Sequence, residues 1–263
     1  MPPEPWFQRA ARSAVTSSRA VWARRGDLRD PNSRAAIILG IALMVVGITA
    51  LLVVHDAVQE GDDLAEADTP VLDWLVAARG PAMTAFLEGV SAVTGPSVLP
   101  VIVVLACLLW GLRTRSWWQP ALLAGAMILS TLISVLLKSA VARPRPPLDT
   151  MTVPGSETTY SFPSGHTVGT ATFLLVAGYL IWIRNPHTRS LVLWALGTLA
   201  GIALVAGSRL YLGYHFLTDV TAGFALAVAV LGAVVVIDRR RAVRAARMTA
   251  GAGGDDAGAT PAG

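Results

Sequence analysis

Residues 35–54 read AAIILGIALMVVGITALLVV, a run of twenty without a charge. At 1.5 Å per residue such a helix reaches about 30 Å, the thickness of a bilayer's hydrocarbon core. The run is longer than the apolar core of a signal peptide and lacks a convincing small-residue cleavage site. It is therefore expected to stay in the chain as a span.

Outward from it, comparable runs recur at 96–112, 120–137, 167–183, 190–207 and 216–237, the last carrying Asp219 near its start. Between Pro70 and Val93, Gly80 and Pro81 break two short amphipathic stretches. These are expected to lie along the membrane interface or to tuck under the bundle rather than to cross. The fold class expected is all-α, a six-transmembrane helical bundle with short interfacial helices.

Composition points the same way. Of 263 residues, 54% are hydrophobic and 14% charged, with a mean hydropathy of +0.57, whereas average soluble domains carry about 25% charged residues. The net charge of +4 could suggest nucleic acid, but the basic residues sit in short clusters beside apolar runs. That placement fits topology signals and no nucleic-acid partner. Cys107 is the only cysteine, which leaves no disulfide within the chain and no cysteine-based zinc site.

The flanks imply an orientation. Residues 1–34 form a basic N-terminal segment, 35–237 the membrane domain, and 238–263 a tail. The tail opens with Arg239, Arg240, Arg241, Arg244 and Arg247 and ends in a Gly/Ala/Asp stretch expected to be disordered. Residues 55–73 hold seven acids and no Lys or Arg. Six crossings place both termini on the cytoplasmic side with the Arg113/Arg115 and Arg184/Arg189 turns, and the acidic stretch outside. Arg79, Lys138, Arg143, Arg145 and Arg209 fall on the outer side, and the topology rule leaves them unexplained.

Three stretches carry the chemistry. The third span ends in Lys138, Arg143 and Arg145, three cations within eight residues, stiffened by Pro144 and Pro146. An anion is their natural ligand, although cations at a membrane boundary also serve as snorkelling anchors. Pro163-Ser164-Gly165-His166 leads into the fourth span. Ser164 suits an N-cap, Gly165 permits close approach to the backbone, and a helix N-terminus attracts anions. A capped helix start explains Ser164 and Gly165 as well, but not the imidazole of His166. The third stretch runs from Ser208 and Arg209 to His215 and Asp219. On a helix His215 and Asp219 share a face. An Asp on Nδ1 leaves Nε2 free for nucleophilic attack, and an acid within a span is costly enough to suggest function. A structural pair tying two helices together is the alternative.

Taken in order, the motifs are Lys, six residues, Arg-Pro (Lys138, Arg145, Pro146); Pro-Ser-Gly-His (163–166); and Ser-Arg, five residues, His, three residues, Asp (208–219). The chain resembles the type 2 phosphatidic acid phosphatase superfamily, whose three signature motifs these match without a substitution. By that resemblance Lys138, Arg145 and Arg209, with Ser164 and the Gly165 N–H, hold the substrate phosphate. His215 is the nucleophile that becomes phosphohistidine, Asp219 steadies its imidazolium, and His166 serves the leaving oxygen and then water. The resemblance implies no metal and no cofactor, an active site at the outer membrane face, and membrane lipids as surroundings. Its candidate substrates are lipid phosphates: undecaprenyl diphosphate, phosphatidic acid and phosphatidylglycerol phosphate. A lipid phosphotransferase using the same histidine and a non-enzymatic lipid-phosphate binder or transporter are the alternative functions. Arg143 matches no fixed motif position, and His55 and His187 lie outside every motif. Oligomeric state is not written in the sequence.

Overall fold

The computed structural model describes residues 31–184 and 186–255. Among them eight α-helices follow one another: α1 (Pro31–Glu60), α2 (Asp68–Ala77), α3 (Pro81–Val93), α4 (Leu99–Thr114), α5 (Trp118–Val141), α6 (Gly165–Trp182), α7 (Thr188–Tyr211) and α8 (Leu217–Asp255). Short 3-10 turns occupy Asp63–Ala67 and Leu148–Thr150, and the described residues contain no strand.

Each apolar run of the sequence falls largely within one helix, although residues 96–98 form a turn and α4 begins only at Leu99. Five helices are long and apolar enough to cross a membrane, whereas α4, with 16 residues, is shorter and extends only about 24 Å. The last helix does not give way to a tail at Asp238 but continues to Asp255. Residues 238–250, DRRRAVRAARMTA, are dominated by Ala and Arg, strong helix formers, and the next glycine is at 251. The rest of both termini, residues 1–30 and 256–263, lies outside the described residues.

The chain divides into two units, residues 43–234 and residues 1–42 with 235–263. In the second, Ser33, Asp238, Ala242 and Val243 are buried. The core and the site below belong to the first. There α4, α5 and α7 all pack on α6. Val168, Val176, Ala177 and Leu180 of α6 meet Leu99 and Val103 of α4, Leu122, Leu123 and Ala126 of α5, and Leu226 and Val230 of α8. The α6 sequence, GHTVGTATFLLVAGYLIW, is small or apolar all round, as a helix enclosed by others requires. More than half of α6 is buried, against 17% of the apolar stretch of α1 or of α7. Val45, Val46, Leu52 and Val53 of α1 and Leu132 and Leu136 of α5 are exposed, an arrangement that water penalises and lipid tails accept. Gly47 lets α1 meet α8 backbone to backbone: a Cβ there would lie 2.5 Å from the Ala229 nitrogen.

The two short amphipathic stretches are α2 and α3, and both pack against α7. Arg79, at the corner between them, donates from Nε to the Tyr211 carbonyl (2.7 Å) and from Nη2 to the Thr150 carbonyl (2.6 Å). The Gly80 N–H donates to the Tyr211 hydroxyl at 2.8 Å. This corner fastens the α7–α8 turn, where Gly213 has φ +78° and a Cβ would sit 2.0 Å from the Thr150 oxygen. Only glycine satisfies both demands.

Candidate active site

The site forms where α5 and α7 end and α6 and α8 begin. The α5 helix stops at Ala142, which adopts φ +50° and donates its N–H to the Lys138 carbonyl at 2.9 Å. The chain then turns sharply, and Arg143 and Arg145 point to different partners.

His215 lies two residues before α8 rather than on it, so it shares no helical face with Asp219. Their contact has another origin. Asp219 is the third residue of α8 and its Oδ2 accepts the N–H of Phe216, the residue preceding the helix, at 2.9 Å. This is the reaching-back half of a capping box. The same carboxylate oxygen lies 3.3 Å from His215 Nδ1 and accepts the Ser161 hydroxyl. Ser161 Oγ also stands 3.2 Å from Nδ1. With the Nδ1 proton directed to these oxygens, Nε2 keeps its lone pair and lies 3.3 Å from Arg145 Nη1. Burial lowers the His215 pKa to about 4 against the opposing pull of Asp219. The imidazole is therefore neutral at physiological pH.

Arg145 is held by the carbonyls of Thr159 (Nε, 2.7 Å) and Tyr214 (Nη1, 2.9 Å), and its Nη2 pairs with Glu157 Oε2 at 3.1 Å. Arg209 lies with its guanidinium carbon 4.5 Å from the centre of the Tyr214 ring. It donates from Nη1 to the Ser91 hydroxyl and pairs through Nη2 with Glu157 Oε1. Burial alone would raise the Glu157 pKa, but Arg209 and Arg145 outweigh it and hold the carboxyl below its ordinary range. Lys138 donates to the carbonyls of Tyr160 (2.5 Å) and Ser161 (3.3 Å). It anchors the segment that leads into α6.

Ser164 occupies the N-cap position of α6, yet its hydroxyl makes no capping bond and instead accepts from Thr167 Oγ1 at 3.2 Å. Its N–H donates to the Asp219 carbonyl at 3.0 Å, which ties the start of α6 to the start of α8. A Cβ on Gly165 would meet nothing within 4 Å, so space is open over the first turn. His166 is buried and bonds the backbone of Ser91, whose side chain serves Arg209. All eight residues singled out from the sequence thus converge, directly or through one intermediary, on one locus. Among the described residues no group of three His, Cys, Asp or Glu side chains is placed to hold a metal ion.

Five further residues complete it. Arg143 bridges two carboxylates, Asp219 Oδ1 at 2.8 Å and Asp68 Oδ2 at 2.6 Å, beneath the ring of Phe216 at 4.4 Å. Asp68, only 3% exposed, also accepts the Thr218 N–H (2.9 Å) and hydroxyl (2.6 Å). Ser161, Ser91 and Glu157 are the other three. In the sequence Asp68 is one of seven acids in a topological stretch, and Ser161 stands beside a motif without being part of it. Glu157 and Ser91 carried no signal.

The PAP2 superfamily model matches residues 119–242. Phosphatidylglycerophosphatase B of Bacillus subtilis (strain 168) is 30% identical over 164 residues, which cover 61% of this chain and 77% of that protein. A crystal structure of a transmembrane PAP2 type phosphatidylglycerolphosphate phosphatase from Bacillus subtilis superposes with a TM-score of 0.65 at 25% identity. The superposition covers 76% of this chain and 96% of that one.

Proposed function

Since this chain belongs to the PAP2 superfamily, we propose that it is a membrane-embedded lipid phosphate phosphatase working through a phosphohistidine at His215. The observation that carries this is the fork made by Arg145 and Arg209. It grips a carboxylate of the protein itself, in electrostatic reach of both His215 and His166. A substrate phosphate placed there meets the Nε2 lone pair of His215 and guanidiniums on its equatorial oxygens.

His215 Nε2 attacks phosphorus in line with the leaving oxygen, and the P–O bond to the lipid breaks as His166 passes its proton to that oxygen. Asp219, on the Nδ1 side, stabilises the positive charge the ring acquires. Water then gives a proton to His166 and attacks the phosphohistidine, releasing inorganic phosphate and restoring His215. Lys138, Arg145 and Arg209 supply the positive charge that a metal supplies in other phosphatases, with Ser164 and the Gly165 N–H completing the cradle.

The relative's name puts phosphatidylglycerol phosphate first among substrates, ahead of undecaprenyl diphosphate and phosphatidic acid. The test is phosphate release by the detergent-purified protein across these three lipids, with and without EDTA. Release should persist in chelator, and His215→Ala should abolish it together with any acid-labile phosphoenzyme. No release from any of the three, or full activity in His215→Ala, refutes the proposal.

A further inference from the structure

Arg145 follows α5 and Arg209 ends α7, yet both converge on one anion, and that anion belongs to the protein. Glu157 offers Oε2 to Arg145 and Oε1 to Arg209, as two oxygens of a phosphate do when guanidiniums grip it. The side chains of Arg209 and Arg145 are 2% and 9% exposed and that of Glu157 is 24% exposed. The cations are the fixed walls, and the carboxylate enters from the open side.

Glu157 is carried by residues 152–160, which contain no helix or strand and are exposed at 153–156 and 158–160. The segment is tied at both ends, by the Thr152 N–H to the Leu212 carbonyl (3.1 Å) and by Arg145 Nε to the Thr159 carbonyl (2.7 Å). Between those ties the Glu157 carboxylate bonds, among the described residues, only one arginine through each oxygen. Withdrawing it breaks two ion pairs and disturbs no helix.

We infer that Glu157 is an internal stand-in for the substrate phosphate. It fills the fork while the site is empty, must be displaced by any phosphate that reaches His215, and helps to expel inorganic phosphate when it returns. This rests on the proposed role of Arg145 and Arg209 as phosphate ligands. The exchange forms no covalent bond. A phosphate dianion brings more charge and more oxygens than a carboxylate, so the ligand can win. Once bound, it faces a tethered competitor at high effective concentration. Because the competitor must leave whatever the ligand is, it weakens all phosphate ligands by the same factor, set by the fraction of molecules whose fork is open. A residue that merely steadied the arginines acts in the opposite sense, since its loss loosens the fork.

The test is titration calorimetry of inorganic phosphate into the full chain in detergent, as wild type, Glu157→Gln and Glu157→Asp. The KM for phosphatidic acid is measured on the same preparations. Glu157→Gln should tighten phosphate binding about tenfold, the loss of two charge-assisted contacts from the competitor, and should lower KM in parallel. Glu157→Asp, which keeps the charge, should stay near wild type. Phosphate binding that is unchanged or weaker in Glu157→Gln overturns the inference, as does a raised KM. Calorimetry needs no turnover. A protein that binds phosphate more tightly as Glu157→Gln but releases none from any lipid therefore refutes the phosphatase reading and leaves the stand-in intact.

Discussion

Asp219 receives hydrogen bonds on both oxygens, and the division of labour between them defines the local chemistry. Oδ2 faces His215, Ser161 and the Phe216 N–H, while Oδ1 faces Arg143. Arg143 thus reaches the imidazole only through Asp219, and in the proposed mechanism it is a positioning residue. Arg143→Gln should lower kcat about 10- to 100-fold, the usual consequence of a misplaced reacting group, with KM within about threefold. Arg143→Lys keeps the charge but cannot bridge two carboxylates, and should recover only part. An unchanged kcat in Arg143→Gln removes Arg143 from the site. His215 makes a second prediction. In the proposed mechanism its neutral form is the reactive one, and burial lowers its pKa from 6.5 to about 4 against Asp219, with Arg209 and Arg145 adding to the lowering. As pH falls through 6 and 5 the ring should stay neutral, protonating only near 4. Imidazole 15N shifts, assigned with His215→Asn, report this directly, and a midpoint near 6.5 contradicts it. His166, His215 and the motif cations, which the structure brings together, could be singled out in the sequence because each motif is short and contiguous along the chain. Asp68 could not, because its partner Thr218 is 150 positions away.

At the scale of elements, apolar runs locate helices well because burial in lipid demands an uninterrupted stretch. They do not say what happens between helices, where this site is built. Equal spacing suggested that His215 and Asp219 share a helical face; instead a helix start brings Asp219 back towards a histidine still in the turn. That turn depends on Gly213. Gly213→Ala would need a left-handed alanine and would press a Cβ within 2.0 Å of a carbonyl held by Arg79. It should cost more than about 2 kcal/mol, the range for strained backbone sites with a steric clash. It should also lower activity by moving His215. Melting temperatures in detergent measure the loss. Gly125→Ala, whose Cβ would meet nothing within 4 Å, is the control and should leave the melting temperature nearly unchanged.

For the whole molecule, charge placement along the sequence left five cations without a topological reason, and the structure gives each a partner. Lys138, Arg143, Arg145 and Arg209 enter the site, and Arg79 clamps the turn beside it. The remaining arginine turns, at Arg113/Arg115 and Arg184/Arg189, lie at the opposite ends of α5, α6 and α7. From the positive-inside rule we propose that the site lies at the outer face. A cysteine introduced at Val153, which is exposed beside the site, should react with a membrane-impermeant maleimide added to intact cells. One at Ser190, exposed at the start of α7, should react only after permeabilisation, and the native Cys107 is buried. The reverse pattern inverts the topology. Asp68, Arg79 and Ser91 all precede residue 119, where the match to the superfamily model begins. A fragment trimmed to those matched limits would carry every diagnostic signature and still be inert, with Arg143 missing one counter-ion, Arg209 its serine and the Gly213 bend its fastening.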